Sequence, residues 1–563
     1  DVFDVRYTSF GGLRIAGWYA RPAGATGHLP GLLTVPGYVS EPKVPKAYAR
    51  QGYAVFSAAP RGKLRSNAEF NPGYPGLLTH NITDRDSYAY RGFYVDAIRA
   101  FDVLAARAEV DNERLGVTGS SQGGALTLLV SALRSGMVKV AAAGAPYLCS
   151  FLDAASLTRS YPYEEINDYL RLRPEDEDLV RATVNYYDIQ NFAPAVRCPI
   201  IVNIGLKDDV CPPETGYAVF DAIGSEDKRL YEYEDCGHDA GTGVGHQRVV
   251  DEFLASHLNP SETRDPDPPA AASKARSARA ADDDRLTAYW SDVARRAASV
   301  GTEDAVAQHL PLRSTESSST YGVTLKGVGG QEIFSYYSVP VGDGPFPTVL
   351  QAPGYGSVVP VPPYERRQSY AVMALCHRGQ RLSDGAYAAE YPGLLTDGLH
   401  DPEEYVYGDI MCDLLAALAW LRGRDETDTA RLAVAGSELG FLAAALRPTD
   451  VSAVLLSLPL HFRGTVSRLG ALHDYPAEEF NDYLRAYPER AEQVAETLSL
   501  YDPLRHASSV SADVLIACPD GDEAVARPLA EALGARAEMY VNTGRGHTDH
   551  EYQEEWLRAK LLG

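Results

Sequence analysis

The chain repeats itself. Pro36-Gly37-Tyr38 recurs as Pro353-Gly354-Tyr355, Arg61-Gly62 as Arg378-Gly379, Tyr74-Pro75-Gly76-Leu77-Leu78-Thr79 as Tyr391-Pro392-Gly393-Leu394-Leu395-Thr396, and Gly119-Ser120 as Gly436-Ser437, all at one offset of 317 positions. Further on, YPYEEINDYLR from Tyr161 to Arg171 returns as YPAEEFNDYLR from Tyr475 to Arg485 at an offset of 314, the drift that small deletions leave. A register held over so many scattered motifs means two copies of one fold. The 563 residues are enough for two domains, each with its own core.

Between the copies, Pro260 to Arg279 is rich in Pro, Ala, Ser and charge and has no apolar period, the composition of a solvated linker. The expected division is therefore a first domain at 1–259, a linker at 260–282 and a second domain at 283–563. The second opens with an amphipathic helix from Asp283 to Ser299, with Leu286, Tyr289, Trp290, Val293 and Ala297 at helical spacing. Nothing comparable precedes Asp1, and the chain starts without Met, so residues upstream of Asp1 are expected.

In the first copy, apolar runs at Leu32 to Val35, Ala54 to Ala58, Leu115 to Thr118, Val138 to Ala143 and Ile200 to Gly205 predict buried strands. Helical stretches lie between them. Asp86 to Arg107 carries Phe93, Ala97, Phe101 and Leu104 on one face, and Gly123 to Leu133 reads as a helix buried nearly all round. The alternation predicts an α/β fold, a mostly parallel sheet with helices on both faces and its ligands at the carboxyl ends of the strands.

Gly119-Ser120-Ser121-Gln122-Gly123 fits G-x-S-x-G with a strand before and a helix after. The pattern predicts the nucleophile elbow of an α/β-hydrolase, a strained turn that lifts a serine side chain above the end of the sheet. The turn also brings the Gln122 N–H and the positive end of the helix toward a developing oxyanion. A serine hydroxyl needs a base, and the order in this fold is Ser, acid, His. Asp208, after strand Ile200 to Gly205, and His238, after the apolar and aromatic run Leu230 to Tyr233, follow that order. His238 is preferred to His246 because Gly237-His238 returns as Gly546-His547 while His246 has no counterpart. Asp208 is preferred to Asp209 because their counterparts are Asp522 and Glu523. The second oxyanion donor expected is the Tyr38 N–H, directly after strand Leu32 to Val35.

These motifs resemble the acetyl xylan esterase and cephalosporin C deacetylase group, carbohydrate esterase family seven. The resemblance rests on Pro36-Gly37-Tyr38, Arg61-Gly62-Lys63, the run from Gly76 through Asp86 to Ala97, Gly119 to Gly124, Cys211-Pro212-Pro213 and His238. The helix around Tyr289-Trp290 is also similar to the family's N-terminal segment. The resemblance implies Ser121, Asp208 and His238 as nucleophile, acid and base, an oxyanion hole from Tyr38 and Gln122, and hydrolysis of acetyl esters of small, often sugar-derived substrates. It implies rings built from dimers, so a homo-oligomer through the repeats is expected. Two positions depart from the family pattern: R-G-Q is Arg61-Gly62-Lys63 here, and H-E is His238-Asp239. A structural salt bridge is the role expected of Arg61.

The second copy has Glu438 where Ser121 stands, with Asp522 and His547 retained as a degenerate site. Ser437 matches Ser120, so it is not a replacement nucleophile. Glu438 is expected to pair with His547 and hold it protonated, which removes the base. This half is thus expected to be a non-catalytic pseudo-esterase kept for its surfaces; attack by Glu438 itself is the alternative.

A net charge of −24 argues against nucleic acid and anionic membrane surfaces as partners. The seven cysteines are scattered with no C-x-x-C pair, so neither metal nor redox cofactor is expected, and reduced thiols suit a cytoplasmic protein. No apolar run reaches the roughly 20 residues that cross a bilayer. The reading is a serine carboxylesterase acting on a small acyl ester. Acyl transfer or amide cleavage by the same triad is the alternative within that chemistry, and a non-catalytic binding or scaffold protein the alternative outside it.

Overall fold

The computed structural model describes all residues except 262, 264–266, 357, 384–388, 390 and 458–460. Contacts divide the chain into two units, one of Asp1–Asp265 with Thr543–Asp549 and one of Pro266–Asn542 with His550–Gly563.

The first unit is built on eight strands: β1 (Val2–Thr8), β2 (Arg14–Ala20), β3 (Leu29–Val35), β4 (Ala54–Ala59), β5 (Val110–Ser120), β6 (Val138–Gly144), β7 (Ile200–Gly205) and β8 (Lys228–Tyr233). They lie in the order β1-β2-β4-β3-β5-β6-β7-β8. All neighbours from β4 onward are parallel, while β1 and β2 form an antiparallel edge. The central strands read as unbroken apolar runs because both faces are covered. Leu32, Val55, Val140, Ala142 and Ile201 meet Val250, Phe253, Leu254 and Leu258 of the helix His246–Leu258 on one face. Helices α1 (Ala89–Ala105) and α2 (Gln122–Leu133) pack against β3 and β5.

Helix α1 begins at Ala89, three residues later than its apolar spacing suggests, and buries Phe93, Ala97, Phe101 and Leu104 as expected. Helix α2 is buried from Gln122 to Ala132, which is why its sequence has no polar stripe. The β1–β2 hairpin escapes the sequence reading. Its strands lie at the sheet edge and mix exposed with buried positions, so no apolar run marks them.

The second unit repeats the plan in nine strands: β9 (Val306–His309), β10 (Ser318–Lys326), β11 (Glu332–Pro340), β12 (Phe346–Ala352), β13 (Ala371–Leu375), β14 (Thr427–Gly436), β15 (Ala453–Ser457), β16 (Asp513–Cys518) and β17 (Ala537–Val541). Read from β10, the order β10-β11-β13-β12-β14-β15-β16-β17 matches the first sheet strand for strand, with β9 added at the edge. The two sheets are tandem copies. The expected helix Asp283–Ser299 forms, capped by the Asp282 carboxylate accepting the Arg285 N–H at 2.9 Å. It buries Tyr289, Trp290, Val293 and Ala297, while Leu286 is only partly covered.

Where composition suggests a solvated linker, Ala270–Ser277 is a helix with Ala271, Ala272 and Ala275 buried in the second unit's core. Alanine favours helix and needs little depth to be covered, so a weakly apolar stretch packs through a narrow stripe of methyl groups. Among the described residues no helix is long and apolar enough to cross a membrane.

Candidate active site

Ser121 sits between β5 and α2 with φ 62° and ψ −122°, a backbone conformation that costs a non-glycine residue about 1–3 kcal/mol. The surrounding backbone holds it there. Its N–H donates to the Gly144 carbonyl at 2.9 Å, and its carbonyl accepts from Ala125 and Tyr147, each at 3.1 Å. The glycines are needed for contact as well as for turning. A Cβ on Gly119 would lie 2.6 Å from the Val35 carbonyl oxygen, and one on Gly123 would lie 2.3 Å from the same atom. The elbow is thereby pressed against the end of β3.

The loop after β3 lies beside the serine. A Cβ on Gly37 would be 3.7 Å from the Ser121 Cβ. The side chain of Tyr38 is buried, its hydroxyl donating to Glu165 Oε1 at 2.5 Å and accepting from the Leu78 N–H at 3.1 Å. Anchoring the side chain fixes the peptide. Among the described residues no protein acceptor is bonded to the Tyr38 N–H. Gln122, the other expected donor, opens helix α2, where the first-turn N–H groups have no acceptor inside the helix. Its side chain is wholly buried and Oε1 accepts from the Tyr90 hydroxyl at 2.7 Å.

His238 Nδ1 lies 2.9 Å from Asp208 Oδ2. The other oxygen of Asp208 accepts from the N–H groups of Val210 and Cys211, both at 2.8 Å, so the carboxylate is fixed in direction. Asp209 instead accepts from the Ser160 hydroxyl at 2.9 Å. His246 pairs through Nδ1 with the Tyr233 hydroxyl at 2.7 Å, and burial lowers it to about 4. For His238, desolvation opposes the charge, yet the Asp208 carboxylate with the Cys211 thiol beside it holds the imidazole well above the usual histidine range. Burial pushes the Cys211 thiol up to about 11. The donor atoms of Asp208, Cys211 and His238 lie within 4.8 Å of one another, close enough to suit a metal ion, but the His–Asp separation is that of a hydrogen bond.

The profile of the acetyl xylan esterase (AXE1) family matches residues 1–257 and again 271–530. The chain belongs to the acetyl xylan esterase family. It is 30% identical over 235 residues to the acetyl esterase Axe7A of Xylanibacter ruminicola, covering 38% of this chain and 51% of that relative. The chain thus spans about half the length of that curated relative. Among solved structures it is similar to an acetyl xylan esterase from Paenibacillus sp. R4, at 34% identity and TM-score 0.43, covering 46% of this chain and 84% of that one. It is also similar to acetyl xylan esterase 1 from Thermoanaerobacterium sp. JW/SL YS485, at 27% identity and TM-score 0.42, covering 45% and 83%.

In this acetyl xylan esterase family member the two departures from the family pattern have defined surroundings. Asp239 Oδ1 accepts from the Gly237 N–H at 3.0 Å and so braces the loop that carries His238. Lys63 is buried, and its ammonium donates to the carbonyls of Gly37 and Tyr38, the latter at 2.6 Å. Arg61 is half of a buried pair: Nε donates to Asp96 Oδ2 at 2.8 Å and Nη2 to Oδ1 at 2.9 Å. The sequence reading missed Glu165 as the anchor of Tyr38. A signal existed, because Glu164-Glu165 returns as Glu478-Glu479 and Glu479 accepts from the Tyr355 hydroxyl in the same way.

The second repeat has a different elbow. Contacts place Glu438 and Asp522 in the second unit and His547, within Thr543–Asp549, in the first. Glu438 takes hydrogen bonds from backbone amides. It is buried and accepts from the N–H groups of His461, at 3.0 Å, and Phe462. Burial, aided by Asp502, raises it to about 8 despite those bonds. A buried carboxyl satisfies its oxygens with whatever donors its own loop offers, and sequence alignment of the triad positions carries no information on that loop. The elbow is also relaxed. Ser437 has φ −73° and ψ 172°, its hydroxyl donates to the Pro353 carbonyl at 2.7 Å, and the helix Glu438–Leu446 starts at the very residue aligned with Ser121.

Proposed function

We propose that the first repeat is a serine carboxylic ester hydrolase that removes short acyl groups, acetyl first among them, from small sugar-derived esters. The observation that carries the reading is the strained Ser121 elbow lying against the Gly37–Tyr38 loop, in a unit where His238 is paired with Asp208. In this reading His238 accepts the Ser121 proton, Asp208 orients the imidazole and stabilises the imidazolium, and Ser121 Oγ bonds the acyl carbon. The N–H groups of Tyr38 and Gln122 receive the oxyanion. The leaving alcohol takes the proton from His238, and water, activated by the same base, releases the acid.

The second repeat is read as a non-catalytic copy. Its support is the carboxyl at the elbow, bonded to two backbone amides, together with the unstrained turn. Incubation with 4-nitrophenyl acetate, acetylated xylo-oligosaccharides and an N-acetyl amide, followed by mass spectrometry, tests both halves. The expected result is acetate from the esters and a transient acetyl group on Ser121, with none on Glu438 and wild-type turnover by Glu438→Ala. Acylation of Glu438, or release from the amide alone, would sink the reading.

The raised His238 sets the pH dependence. The base must be neutral to accept a proton, so the acid limb of kcat/KM is expected above the ordinary histidine value of about 6.5. The stability effect has the opposite sense. Since the folded value is raised, the pair stabilises the fold fully below the unfolded value, and that contribution is lost as pH rises through the folded value. Asp208→Asn removes the cause and should move the limb toward acid, read from rate profiles of the residual activity. An unmoved limb would show that another group controls it.

A further inference from the structure

The carbonyl of Gly37 and the N–H of Tyr38 belong to one peptide group. The buried ammonium of Lys63 donates to that carbonyl, and to the next one, Tyr38 O, at 2.6 Å. A cation on the oxygen of a peptide draws electron density from its nitrogen and strengthens the N–H as a donor, as hydrogen bonds in a chain polarise one another. The second repeat provides the neutral comparison. Gln380 stands where Lys63 does, and its Nε2 donates to the Gly354 carbonyl at 3.1 Å and to the Gly356 carbonyl. A primary amide therefore fits the place and holds the loop without bringing a charge. The first repeat, with the strained serine, thus carries an ammonium where both the second repeat and the family pattern have a neutral Gln.

We propose that Lys63 is a positioning residue that acts through the Gly37–Tyr38 peptide. Its ammonium polarises that peptide so that the Tyr38 N–H stabilises the acyl oxyanion more strongly than a peptide held by a neutral donor would. The proposal rests on the reading of Ser121 as nucleophile and Tyr38 N–H as oxyanion donor. Lys63 touches neither substrate nor reacting atoms, and no bond to it forms or breaks. Its effect appears where negative charge develops on the carbonyl oxygen, so it belongs to the transition state more than to ground-state binding.

The test compares wild type, Lys63→Gln and Lys63→Met on 4-nitrophenyl acetate, with thermal unfolding of each and the inhibition constant of an aryl trifluoromethyl ketone, whose adduct with a serine is an oxyanion. Stoichiometric fluorophosphonate labelling of Ser121 in the wild type comes first. No label there would sink the function itself and is read without any variant. With the label present, Lys63→Gln is expected to keep its melting temperature and KM, to lose about tenfold in kcat, and to weaken the ketone by a similar factor, less than the hundredfold or more of deleting an oxyanion donor. Lys63→Met should lose more. Should the methionine variant fail to fold, the glutamine variant decides alone. Wild-type kcat and ketone affinity in Lys63→Gln, or a loss confined to KM or to stability, would overturn the role while leaving the labelled nucleophile intact.

Discussion

Ser121→Ala is expected to lower kcat for an acetyl ester by about 10⁴-fold or more and to leave the melting temperature within a few degrees of wild type. The first part follows from the reading of Ser121 as the nucleophile on a strained elbow whose backbone is fixed by Gly144, Ala125 and Tyr147. The second follows from the same bonds. All of them use the Ser121 backbone, which alanine keeps. Steady-state rates and a thermal unfolding curve on one preparation check both. A variant that turns over the ester at the wild-type rate would remove Ser121 from the chemistry, and a large loss of stability would mean that the hydroxyl serves the fold.

The largest stability effect is expected at Asp96. Its carboxylate is fully buried and accepts from Arg61 Nε, Arg61 Nη2, the Arg61 backbone N–H at 2.9 Å, and the Ser9 hydroxyl. Asp96→Ala leaves a guanidinium, an amide and a hydroxyl buried without that acceptor, and truncating one partner of such a pair typically costs about 3–5 kcal/mol. The arginine has little freedom to move away: a Cβ on Gly92 of α1 would lie 2.0 Å from its Nη1. Denaturant unfolding, followed in the full chain, should show the first transition shifted and activity lost with it. A shift below about 1 kcal/mol would mean that water reaches the vacated site and satisfies Arg61. The second unit carries the same pair as Arg378 and Asp413, with Nε to Oδ2 at 2.9 Å. This duplication marks the pair as part of the scaffold instead of the chemistry.

The tandem plan, the parallel core strands, the amphipathic faces of Ala89–Ala105 and Asp283–Ser299, and the elbow at Ser121 were all legible in the sequence. Each depends on local periodicity or on a short motif that needs a particular backbone turn, and such signals are written in neighbouring residues. The β1–β2 edge and the packed helix Ala270–Ser277 were not, because a partly exposed strand and a stripe of alanines produce no contrast against a loop.

What only tertiary structure decided is the direction and partner of each polar side chain. The repeat already favoured Asp208 over Asp209 as the acid, but that Asp209 turns instead to the Ser160 hydroxyl at 2.9 Å is set by the loop after β7. Glu438 was visible as a carboxyl at the position aligned with Ser121, but its bonds to the amides of His461 and Phe462 come from a loop that alignment of the triad does not reach. Lys63 was visible as a departure from R-G-Q; that its ammonium rests on the carbonyls of Gly37 and Tyr38 is a contact across 26 and 25 residues of chain. Sequence fixes which groups a protein has to satisfy, and the packed fold selects which ones satisfy each other, since a buried charge takes the nearest donor or acceptor that long-range packing delivers.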